Sequence, residues 1–532
     1  MAARKIRIIG GGLAGPEAAL QAAKRGCKVD LYEMRPTRST EAHQTSDFAE
    51  LVCSNSLKSE SLNTAPWLLK QEMRRAGSIL LAEADAAAVP AGHALAVDRV
   101  EFSRRVAERI ESYTTGPSPL ITVHREEITT LDEDASTLTI LASGPLTSPA
   151  LAAELQRLTG SHHLAFYDSI SPIVDASTID MDKVYFAARY DKGTADYINC
   201  PFTKEEYERF LDALTSAEAV PAKEWEQIPT PPMHRHPERS VLSEPQAIRM
   251  GTESKDPEET SLTQTASPFS TSNQPLQYFE GCLPIEETAR RGRDTLRFGP
   301  MKPVGLTDPK TGRWPYAVVQ LRQENLRADS YNLVGFQNHL RYGEQQRVLR
   351  LIPGLENAKF LRYGQIHRNT YINAPTLLTE TLQLKANPGI MIAGQLSGVE
   401  GYTESIASGM LAGIYAAAIA NGKAPEPAPR RSANGSLIHY ITHAESKRFQ
   451  PANITFDLIP PLEEELRRKI RDKKERHRIQ CERALEAWDD WLASSLKLSS
   501  FAADGGPSSR PAESKQNPVQ IEPATVLSSD TP

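Results

Sequence analysis

Residues 4–36, "RKIRIIGGGLAGPEAALQAAKRGCKVDLYEMRP", contain the pattern that most restricts what this chain can fold into. A short apolar strand, a glycine turn, an alanine-rich helix and a second strand follow one another, which predicts a βαβ unit. The dinucleotide fingerprint GxGxxG is satisfied by six consecutive residues: Gly10, Gly11, Gly12, Leu13, Ala14 and Gly15. Glu33 closes the second strand, where a carboxylate can bind both ribose hydroxyls of an adenosine. Together these features predict a dinucleotide-binding domain.

The same fingerprint serves FAD and NAD, and a second segment favours FAD. In "GIMIAGQLSGVEGYTESIASGMLAGIYAAAIA" (389–420), an apolar strand and a glycine turn precede a long helix of small residues. This turn holds four candidate cofactor-binding residues: Gly394, Gly398, Gly401 and Tyr402. The positive N-terminus of the helix can face a flavin, which becomes anionic on reduction. No second GxGxxG follows a strand, so a nicotinamide would lack its own domain; a purely structural turn is the alternative for this segment.

The two nucleotide-binding segments are far apart in the chain, and half-exposed strands such as "VYFAARY" and "YAVVQLRQE" lie between them. We therefore predict an α/β fold with a discontinuous Rossmann-like, glutathione-reductase-like FAD-binding domain, an inserted α+β domain and a C-terminal helical extension. The predicted boundaries are 1–150 and 343–430 for the FAD-binding domain, 151–342 for the inserted substrate domain, 431–498 for the helical extension and 499–532 for a disordered tail. Residues 221–275, rich in Pro, Ser and Thr, are predicted to be a mobile insertion.

The cysteine content is typical of a reducing compartment. Five cysteines are scattered without a CxxC pair, and no histidine spacing typical of a zinc site accompanies them, so no metal site is predicted. No basic and apolar leader precedes the first strand, and the longest apolar stretch, from Gly409, is shorter than a spanning helix needs. We expect a cytoplasmic protein without a membrane anchor. The net charge of −6 neither supports nor excludes a nucleic-acid partner, because a basic patch can coexist with acidic residues elsewhere.

Two cysteines have neighbours that suit chemistry. Cys53 lies in "LVCSNSLKSE" and Cys282 in "YFEGCLPIEETARRG", where hydroxyl, amide or arginine groups can stabilise a thiolate. The alternative for each is inert packing, the usual role of a buried free cysteine. A candidate substrate-binding set comprises Lys302, His367, Arg368 and Asn369, from "LRFGPMKPVGL" and "YGQIHRNTYINAP". A polar turn whose groups satisfy one another is the alternative for that set.

Several of these motifs occur together in a known enzyme family. "GGGLAGPEAA", "YEMRP", "DFAELVCSNSL", "FEGCLPIEE", "FGPMKPVGL", "HRNTY" and "GVEGY" resemble, in order, segments of the bacterial folate- and FAD-dependent tRNA uracil-5 methyltransferases. The resemblance covers nearly all of residues 4–495. The stretch at about 226–275 looks like an insertion relative to the family, and the tail beyond about 499 has no counterpart in it.

The resemblance implies methylation of C5 of the T-loop uridine of tRNA, which forms ribothymidine. Methylenetetrahydrofolate would donate the carbon, FAD would act as carrier and reductant, and NAD(P)H would reduce the flavin. Cys53 and Cys282 fall on the two functional cysteines of the family. We favour Cys282 as the nucleophile that adds to uracil C6 and Cys53 as the flavin-side partner, either general base or transient holder of the methylene. The sequence leaves that division open.

A tRNA substrate requires basic contacts to its phosphates. The candidates are Arg347, Arg350, Lys359, Arg362 and the basic residues of 467–478, although a solvated helix face is the better-supported interpretation of that last run. Three rival functions remain. They are a related flavoenzyme that modifies anticodon uridines and would need a larger C-terminal helical domain, a small-molecule flavin oxidoreductase, and a non-catalytic flavoprotein that binds tRNA. The oligomeric state is not predicted.

Overall fold

The structure, a computed structural model, describes residues 4–40, 42–131, 134, 136–160, 164–191, 194–220 and 283–497. Three predictions concern residues outside these ranges: the insertion at 221–275, the catalytic role of Cys282 and the tail from 499. The side chains of residues 164–169, 191, 366–368, 496 and 497 are also outside the description, which includes those of His367 and Arg368.

Strands and helices alternate in the first part of the chain, and helices predominate at the C-terminal end. The strands are β1 (Lys5–Ile9), β2 (Val29–Tyr32), β3 (Ser56–Ser59), β4 (Ala88–Val89), β5 (Ala94–Val97), β6 (Ile121–His124), β7 (Thr137–Leu141), β8 (Leu164–Ser169), β9 (Ile173–Asp175), β10 (Tyr185–Phe186), β11 (Ile198–Phe202), β12 (Ala317–Gln323), β13 (Ser330–Leu333), β14 (Phe360–Arg362), β15 (Ile366–Tyr371) and β16 (Ile390–Ile392). The helices are α1 (Ala14–Lys24), α2 (Ala65–Ala76), α3 (Ile79–Ala86), α4 (Arg99–Thr114), α5 (Pro149–Thr159), α6 (Lys204–Thr215), α7 (Ile285–Arg290), α8 (Thr295–Phe298), α9 (Tyr342–Leu349), α10 (Ala374–Leu377), α11 (Tyr402–Ala420), α12 (Ala433–His443), α13 (Glu464–Lys469) and α14 (Lys473–Lys497).

The central sheet is parallel and has the strand order β16-β7-β1-β2-β6. Ile6 of β1 is in register with Val29 of β2 and Leu138 of β7, and it is fully buried because helices cover the sheet. β16 comes late in the chain, yet Ile390 pairs with Thr139 of β7. Two distant segments therefore build one sheet. The predicted α/β fold with a discontinuous parallel-sheet domain is confirmed.

A second sheet, antiparallel throughout, forms the inserted part, with the order β10-β11-β12-β13-β9-β14. It has its own core, in which Phe202, Tyr207, Phe210 and Phe336 pack together. Two smaller pairings complete the strands: β15 with β8, and β3 with β5 and β4.

The packing sets domain limits that differ from the boundaries predicted at 150 and 342. Leu151 and Leu155 of α5 belong to the core of the parallel sheet, whereas Val348 and Leu349 of α9 belong to the core of the antiparallel sheet. β14 also joins the antiparallel sheet by pairing with β9. The inserted part therefore extends to about residue 362, because a strand pairing between distant segments, and not a change in composition, decides where it ends.

Helix α11 is a buried central helix of the parallel-sheet domain and packs along α1. A Cβ on Gly409 would approach the backbone oxygen of Ala14 to 2.3 Å, and a Cβ on Gly413 would approach that of Ala18 to 2.5 Å, so only glycine allows this contact. α11 has 19 residues and is the one helix of the described part that is long and apolar enough to cross a membrane. Since 83% of its apolar window is buried inside the protein, the helix shows the burial of an ordinary core helix.

The C-terminal helices α12 and α14 are attached to α2 through Glu72. Its carboxylate accepts hydrogen bonds from the backbone N–H groups of Ala433 (2.7 Å) and Asn434 (2.9 Å) at the start of α12, and its backbone oxygen accepts one from Trp488 Nε1 (2.7 Å) of α14. Burial raises the pKa of Glu72 to about 7. The helical extension is thus fixed to the FAD-binding part by a buried acid.

This buried acid predicts a pH-dependent stability. Because the folded-state pKa of about 7 exceeds the ordinary value of 4.5, Glu72 stabilises the fold fully below pH 4.5, and that contribution is lost as the pH rises through 7. The loss corresponds to about 3 kcal/mol. The thermal unfolding midpoint of the wild type should therefore fall between pH 5 and pH 8 by more than that of Glu72→Gln. Parallel pH profiles of the two proteins would contradict this origin.

Candidate functional site

The glycine turn after β1 is shaped by close backbone contacts. A Cβ on Gly15 would lie 1.8 Å from the backbone oxygen of Gly10, and a Cβ on Gly10, which has a φ of +119°, would lie 2.3 Å from that of Ala142. Around the Cβ position of Gly12, in contrast, no described atom other than those of Gly12 and its two chain neighbours lies within 4 Å. The turn is therefore tight on its inner side and open on its outer side.

Helix α1 begins at this open side, and no side chain caps its first backbone N–H groups. Leu13 occupies the N-cap position and supplies no side-chain hydrogen bond to the first turn, and Ala14 opens the helix. The first N–H groups of a helix need acceptors, and the helix dipole makes them a site for anions. The space beside Gly12 and this uncapped N-terminus fit the pyrophosphate of a dinucleotide.

Glu33 lies at the end of β2 beside the same turn and is 5% exposed. Its Oε2 accepts a hydrogen bond from Gly11 N (2.7 Å), while Oε1 accepts from Arg35 N (2.9 Å) and Arg35 Nε (2.8 Å). Burial opposes ionisation, but the hydrogen bonds and charge of Arg35 hold the pKa of Glu33 below its usual value. Oε2 keeps a second lone pair, which a ribose hydroxyl can use.

The second glycine turn leads from β16 into α11. Gly394 donates its N–H to Ser408 Oγ (2.8 Å), and Gly398 lies against the ring of Phe449. Gly401 is the N-cap of α11 and has a φ of +109°, which residues with side chains rarely adopt. It leaves the N-terminus of this helix without a side-chain cap as well.

A buried carboxylate in the first turn of α11 has an unsatisfied oxygen. Glu404 is fully buried, and its Oε1 accepts hydrogen bonds from Lys58 Nζ (2.6 Å) and Ile454 N (3.1 Å). Within the part of the chain that the structure describes, its Oε2 has no hydrogen-bond partner. A buried acceptor without a donor is costly. FAD carries hydroxyl and ring N–H donors, so this atom fits the presence of the cofactor near the start of α11.

Cys53 meets Tyr402 at the start of α11. The Tyr402 Oη accepts hydrogen bonds from the backbone N–H groups of Cys53 (2.8 Å) and Ser54 (3.2 Å), and it lies 3.0 Å from Cys53 Sγ. A phenolic oxygen has two lone pairs and one proton. Since two N–H donors occupy the lone pairs, the phenolic proton points to the sulfur, and Cys53 Sγ accepts the hydrogen bond.

The protonation state of Tyr402 agrees with that geometry. Burial, and then the nearby charge of Cys53, raise the pKa of Tyr402 well above its usual value, so the phenol keeps its proton. Arg99 and Arg362 are also within electrostatic range of the Cys53 sulfur. A hydrogen-bond donor and two cations favour a thiolate at this position.

The Cys53 loop is fastened to the antiparallel sheet of the inserted domain. Arg322 of β12 donates from Nη2 to Ser54 Oγ (2.8 Å) and from Nε to Asn55 Oδ1 (2.9 Å). Asn55 is fully buried and donates in turn to the backbone oxygens of Val97 (3.1 Å) and Gln323 (2.9 Å). The thiol therefore lies where the antiparallel sheet of the inserted domain approaches the start of α11.

Three other cysteines are described, and all of them are buried: Cys27, Cys200 and Cys481. Burial raises the pKa of each thiol, that of Cys481 to about 12. Such thiols stay protonated and unreactive at neutral pH. Within the described residues, Cys53 alone is both partly exposed and placed beside polar groups.

The structure describes the side chains of two of the four candidate substrate-binding residues, Lys302 and Asn369. Asn369 on β15 is 1% exposed, and its Oδ1 has no hydrogen-bond partner among the described residues. His367 and Arg368 precede it on the same strand. Lys302 lies after α8 in the inserted domain. The substrate roles of these four residues stay predictions.

The predicted phosphate contacts are partly engaged within the protein. Arg347 pairs with Glu344 (2.6 Å), and Arg350 Nη2 donates to the backbone oxygen of Ala358 (3.2 Å). In the run 467–478, ion pairs join Arg468 to Glu464 and Arg478 to Glu475. Lys359 lies 3.9 Å from Asp175, and Arg362 donates to the backbone oxygen of Ala42 (3.2 Å). Ion pairs within the run 467–478 are typical of a solvated helix face, the interpretation that the sequence favoured.

Comparison with known proteins identifies the family. The family model described as "Glucose inhibited division protein A" matches residues 5–239 and 244–424. "Methylenetetrahydrofolate--tRNA-(uracil-5-)-methyltransferase TrmFO" of Koribacter versatilis (strain Ellin345) is 63% identical over 491 residues, which are 92% of this chain and 98% of the relative. The chain belongs to the TrmFO family. The TrmFO protein of Enterococcus faecalis (strain ATCC 700802 / V583) is 50% identical and covers 91% of this chain and 97% of its own.

A solved structure supports the fold of this TrmFO family member. The GidA protein of Aquifex aeolicus, in its form II crystal, superimposes with a TM-score of 0.56 at 17% sequence identity. The match covers 92% of this chain and 78% of the GidA chain. At this identity the likeness bears on the fold alone.

Two contacts of the TrmFO site could not be found from the sequence. Tyr402 was predicted to bind the cofactor, but its hydrogen bond to Cys53 joins residues that are 349 positions apart. The link from Arg322 to Ser54 spans 268 positions. No local pattern signals either contact, because the first joins a loop near the start of the chain to the beginning of α11, and the second joins that loop to the antiparallel sheet of the inserted domain.

Proposed function

We propose that this protein methylates C5 of the T-loop uridine of tRNA, with methylenetetrahydrofolate as the one-carbon donor. The observation that carries the proposal is the Cys53 thiol, which lies 3.0 Å from Tyr402 Oη at the uncapped N-terminus of α11, a helix end suited to a flavin. The names and the extent of the TrmFO relatives support the substrate and the donor. NAD(P)H is proposed as the electron source from the resemblance to the family, and the single fingerprint is consistent with a nicotinamide that only visits the flavin.

The cofactor site is proposed to consist of the residues predicted from the sequence. Gly10, Gly11, Gly12, Leu13, Ala14 and Gly15 would hold the pyrophosphate, Glu33 the ribose, and Gly394, Gly398, Gly401 and Tyr402 the flavin end. Bound FAD would supply hydride and carry the one-carbon unit.

The thiols are proposed to act on the uracil. C5 of uracil becomes nucleophilic when a thiolate adds to C6, and Cys282 is assigned this addition from the sequence. Once C5 has gained the carbon, its proton must leave. We assign that proton to Cys53 Sγ, which accepts a hydrogen bond from Tyr402 and is thereby suited to hold a thiolate as general base. Loss of the Cys282 thiol from C6 then restores the ring.

The base must reach the thiol before any of this occurs. A T-loop uridine is stacked within folded RNA, so it has to be extruded, at a cost of a few kcal/mol. Contacts between basic residues and phosphates can offset that cost. Arg362 is the candidate phosphate contact nearest the site, since it lies in electrostatic range of Cys53.

The proposal predicts transfer of a one-carbon label to tRNA. The purified yellow protein is incubated with unmodified tRNA, NADPH and methylenetetrahydrofolate labelled in its one-carbon unit. The label is expected in the T-loop uridine, and Cys282→Ala should abolish its transfer while FAD stays bound. Absence of label from that uridine, or label in an anticodon uridine, would overturn the proposal. An active Cys282→Ala protein would refute the role given to that thiol.

A further inference from the structure

Three side chains with metal-binding atoms meet at the C-terminal end of α12. His439 and His443 are four residues apart on this helix, and their rings stack with centroids 4.2 Å apart. Glu380 approaches from the loop between α10 and β16. Its Oε1 lies 3.2 Å from His439 Nδ1 and 3.8 Å from His443 Nδ1. One nitrogen or oxygen from each residue falls within a 4.8 Å span.

These separations are close to what a small tetrahedral ion needs. Zinc binds imidazole nitrogen and carboxylate oxygen at about 2.0–2.1 Å, and a tetrahedral angle then places neighbouring ligand atoms about 3.3 Å apart. The separations of 3.2 Å and 3.8 Å from Glu380 lie on either side of this value, and binding would turn the two imidazoles out of their stacked arrangement and replace the hydrogen bond between His443 Nδ1 and Thr442 Oγ1 (2.9 Å). Two histidines at positions i and i+4 of a helix present their rings on one face, as in known helical zinc sites.

The charges around Glu380 leave its carboxylate available. Among the described residues its polar side-chain partners are the two histidines. The nearby guanidinium of Arg430 donates instead to Ser436 Oγ (2.8 Å) and to the backbone oxygen of Leu458 (2.9 Å). Lys385, which lines the adjoining cleft, donates to the backbone oxygen of Pro375 (2.8 Å). The approach of a cation therefore breaks no ion pair with Arg430 or Lys385.

The site is reachable and has room for a further ligand. The side chains of His439, Glu380 and His443 are 36%, 42% and 51% exposed. A surface cleft bordered by Thr379, Thr381 and His443 adjoins them. Water from this cleft can complete a tetrahedron that three protein ligands leave open.

We propose that Glu380, His439 and His443 bind a divalent transition metal ion, with Zn²⁺ as the best fit. Imidazole and carboxylate together favour zinc and its neighbours over Mg²⁺ or Ca²⁺, which prefer oxygen ligands alone. The bound ion ties the loop at 378–384 to α12, and so attaches the helical extension to the FAD-binding part. The site goes beyond the methylation proposal and departs from the prediction that the chain has no metal site.

The test uses the full-length FAD-loaded protein after treatment with a chelator. Calorimetric titration with zinc chloride is expected to show one saturable site per chain, and zinc should raise the thermal unfolding midpoint. His439→Ala, His443→Ala and Glu380→Gln should each weaken binding at least about tenfold. His93→Ala removes an exposed histidine elsewhere and serves as the matched control, with wild-type affinity expected. Equal FAD content establishes that each variant is folded.

Three results would overturn the metal site. These are the absence of saturable zinc binding by the wild type, wild-type affinity in all variants, and a loss of affinity in His93→Ala as large as in the three ligand variants. The second result would assign the zinc to other groups, such as the Cys53 thiol. Each result is independent of methylation, so the metal site and the proposed function stand or fall separately.

Discussion

Replacing Cys53 by alanine is expected to lower the rate of tRNA methylation by about a hundred- to ten-thousandfold, the usual contribution of a general base. The thiolate that takes the C5 proton is lost, whereas the glycine turns and Glu33 are untouched. The variant should therefore still bind FAD and tRNA. The measurement is label transfer to tRNA in single turnover, together with flavin content. A rate within a few-fold of the wild type would remove Cys53 from the mechanism.

Tyr402→Phe separates a chemical role of this contact from a structural one. The phenylalanine keeps the ring but loses the proton that Tyr402 Oη offers to Cys53 Sγ at 3.0 Å. A thiol without this donor is less acidic, so the pH profile of methylation should move to higher pH, and the rate at high pH should recover. A uniform loss of rate at all pH values would mean that Tyr402 only supports the fold.

Replacing Gly15 by valine is expected to yield a colourless protein that binds no FAD. Its Cβ would lie 1.8 Å from the backbone oxygen of Gly10, and this oxygen belongs to the turn itself and cannot move aside as a flexible side chain would. The start of α1 must shift, and the N–H groups that would bind the pyrophosphate shift with it. The measurement is the ratio of flavin to protein absorbance after purification with added FAD.

Gly343→Ala provides the matched control for that loss. Gly343 lies in α9, and apart from its chain neighbours and the backbone of its own helix, no described atom lies within 4 Å of its Cβ position. Alanine is also the better helix former, so this variant should retain both FAD and stability. Full FAD occupancy of the Gly15 variant would show that the cofactor does not bind at this turn.

The parallel-sheet domain was predictable because its signals are local. The strand, glycine turn, helix and strand of residues 4–36 are contiguous in the sequence. Each element requires particular residues, and a side chain at Gly15, for example, would clash with the turn. The limits of the inserted domain were not predictable in the same way. They depend on the pairing of β14 with β9, and more than half of the inserted domain lies between these two strands in the sequence. Both strands are short, so they leave little periodic signal.

The same distinction holds for the candidate site. The hydrogen bond between Glu33 and Gly11 follows from a motif whose spacing reflects one βαβ unit. The contact between Tyr402 and Cys53 reflects the meeting of α11 with a loop from the opposite end of the chain. Likewise, Glu380 meets His439 across 59 positions, and neither residue is unusual in its own segment. Polar contacts of this kind become visible only once the fold has assembled them.

The backbone-to-backbone packing of α1 and α11 fixes the distance between the two ends of the proposed cofactor site. Gly409 and Gly413 lock the two helices together against Ala14 and Ala18, and each helix directs its uncapped N-terminus at one end of the proposed FAD site. In the proposed site, the pyrophosphate and the flavin would therefore be spaced by a rigid pair of helices whose length does not depend on any loop. Insertions elsewhere in the chain can therefore change which substrate reaches the flavin site, while the distance between the two ends of the cofactor site stays the same.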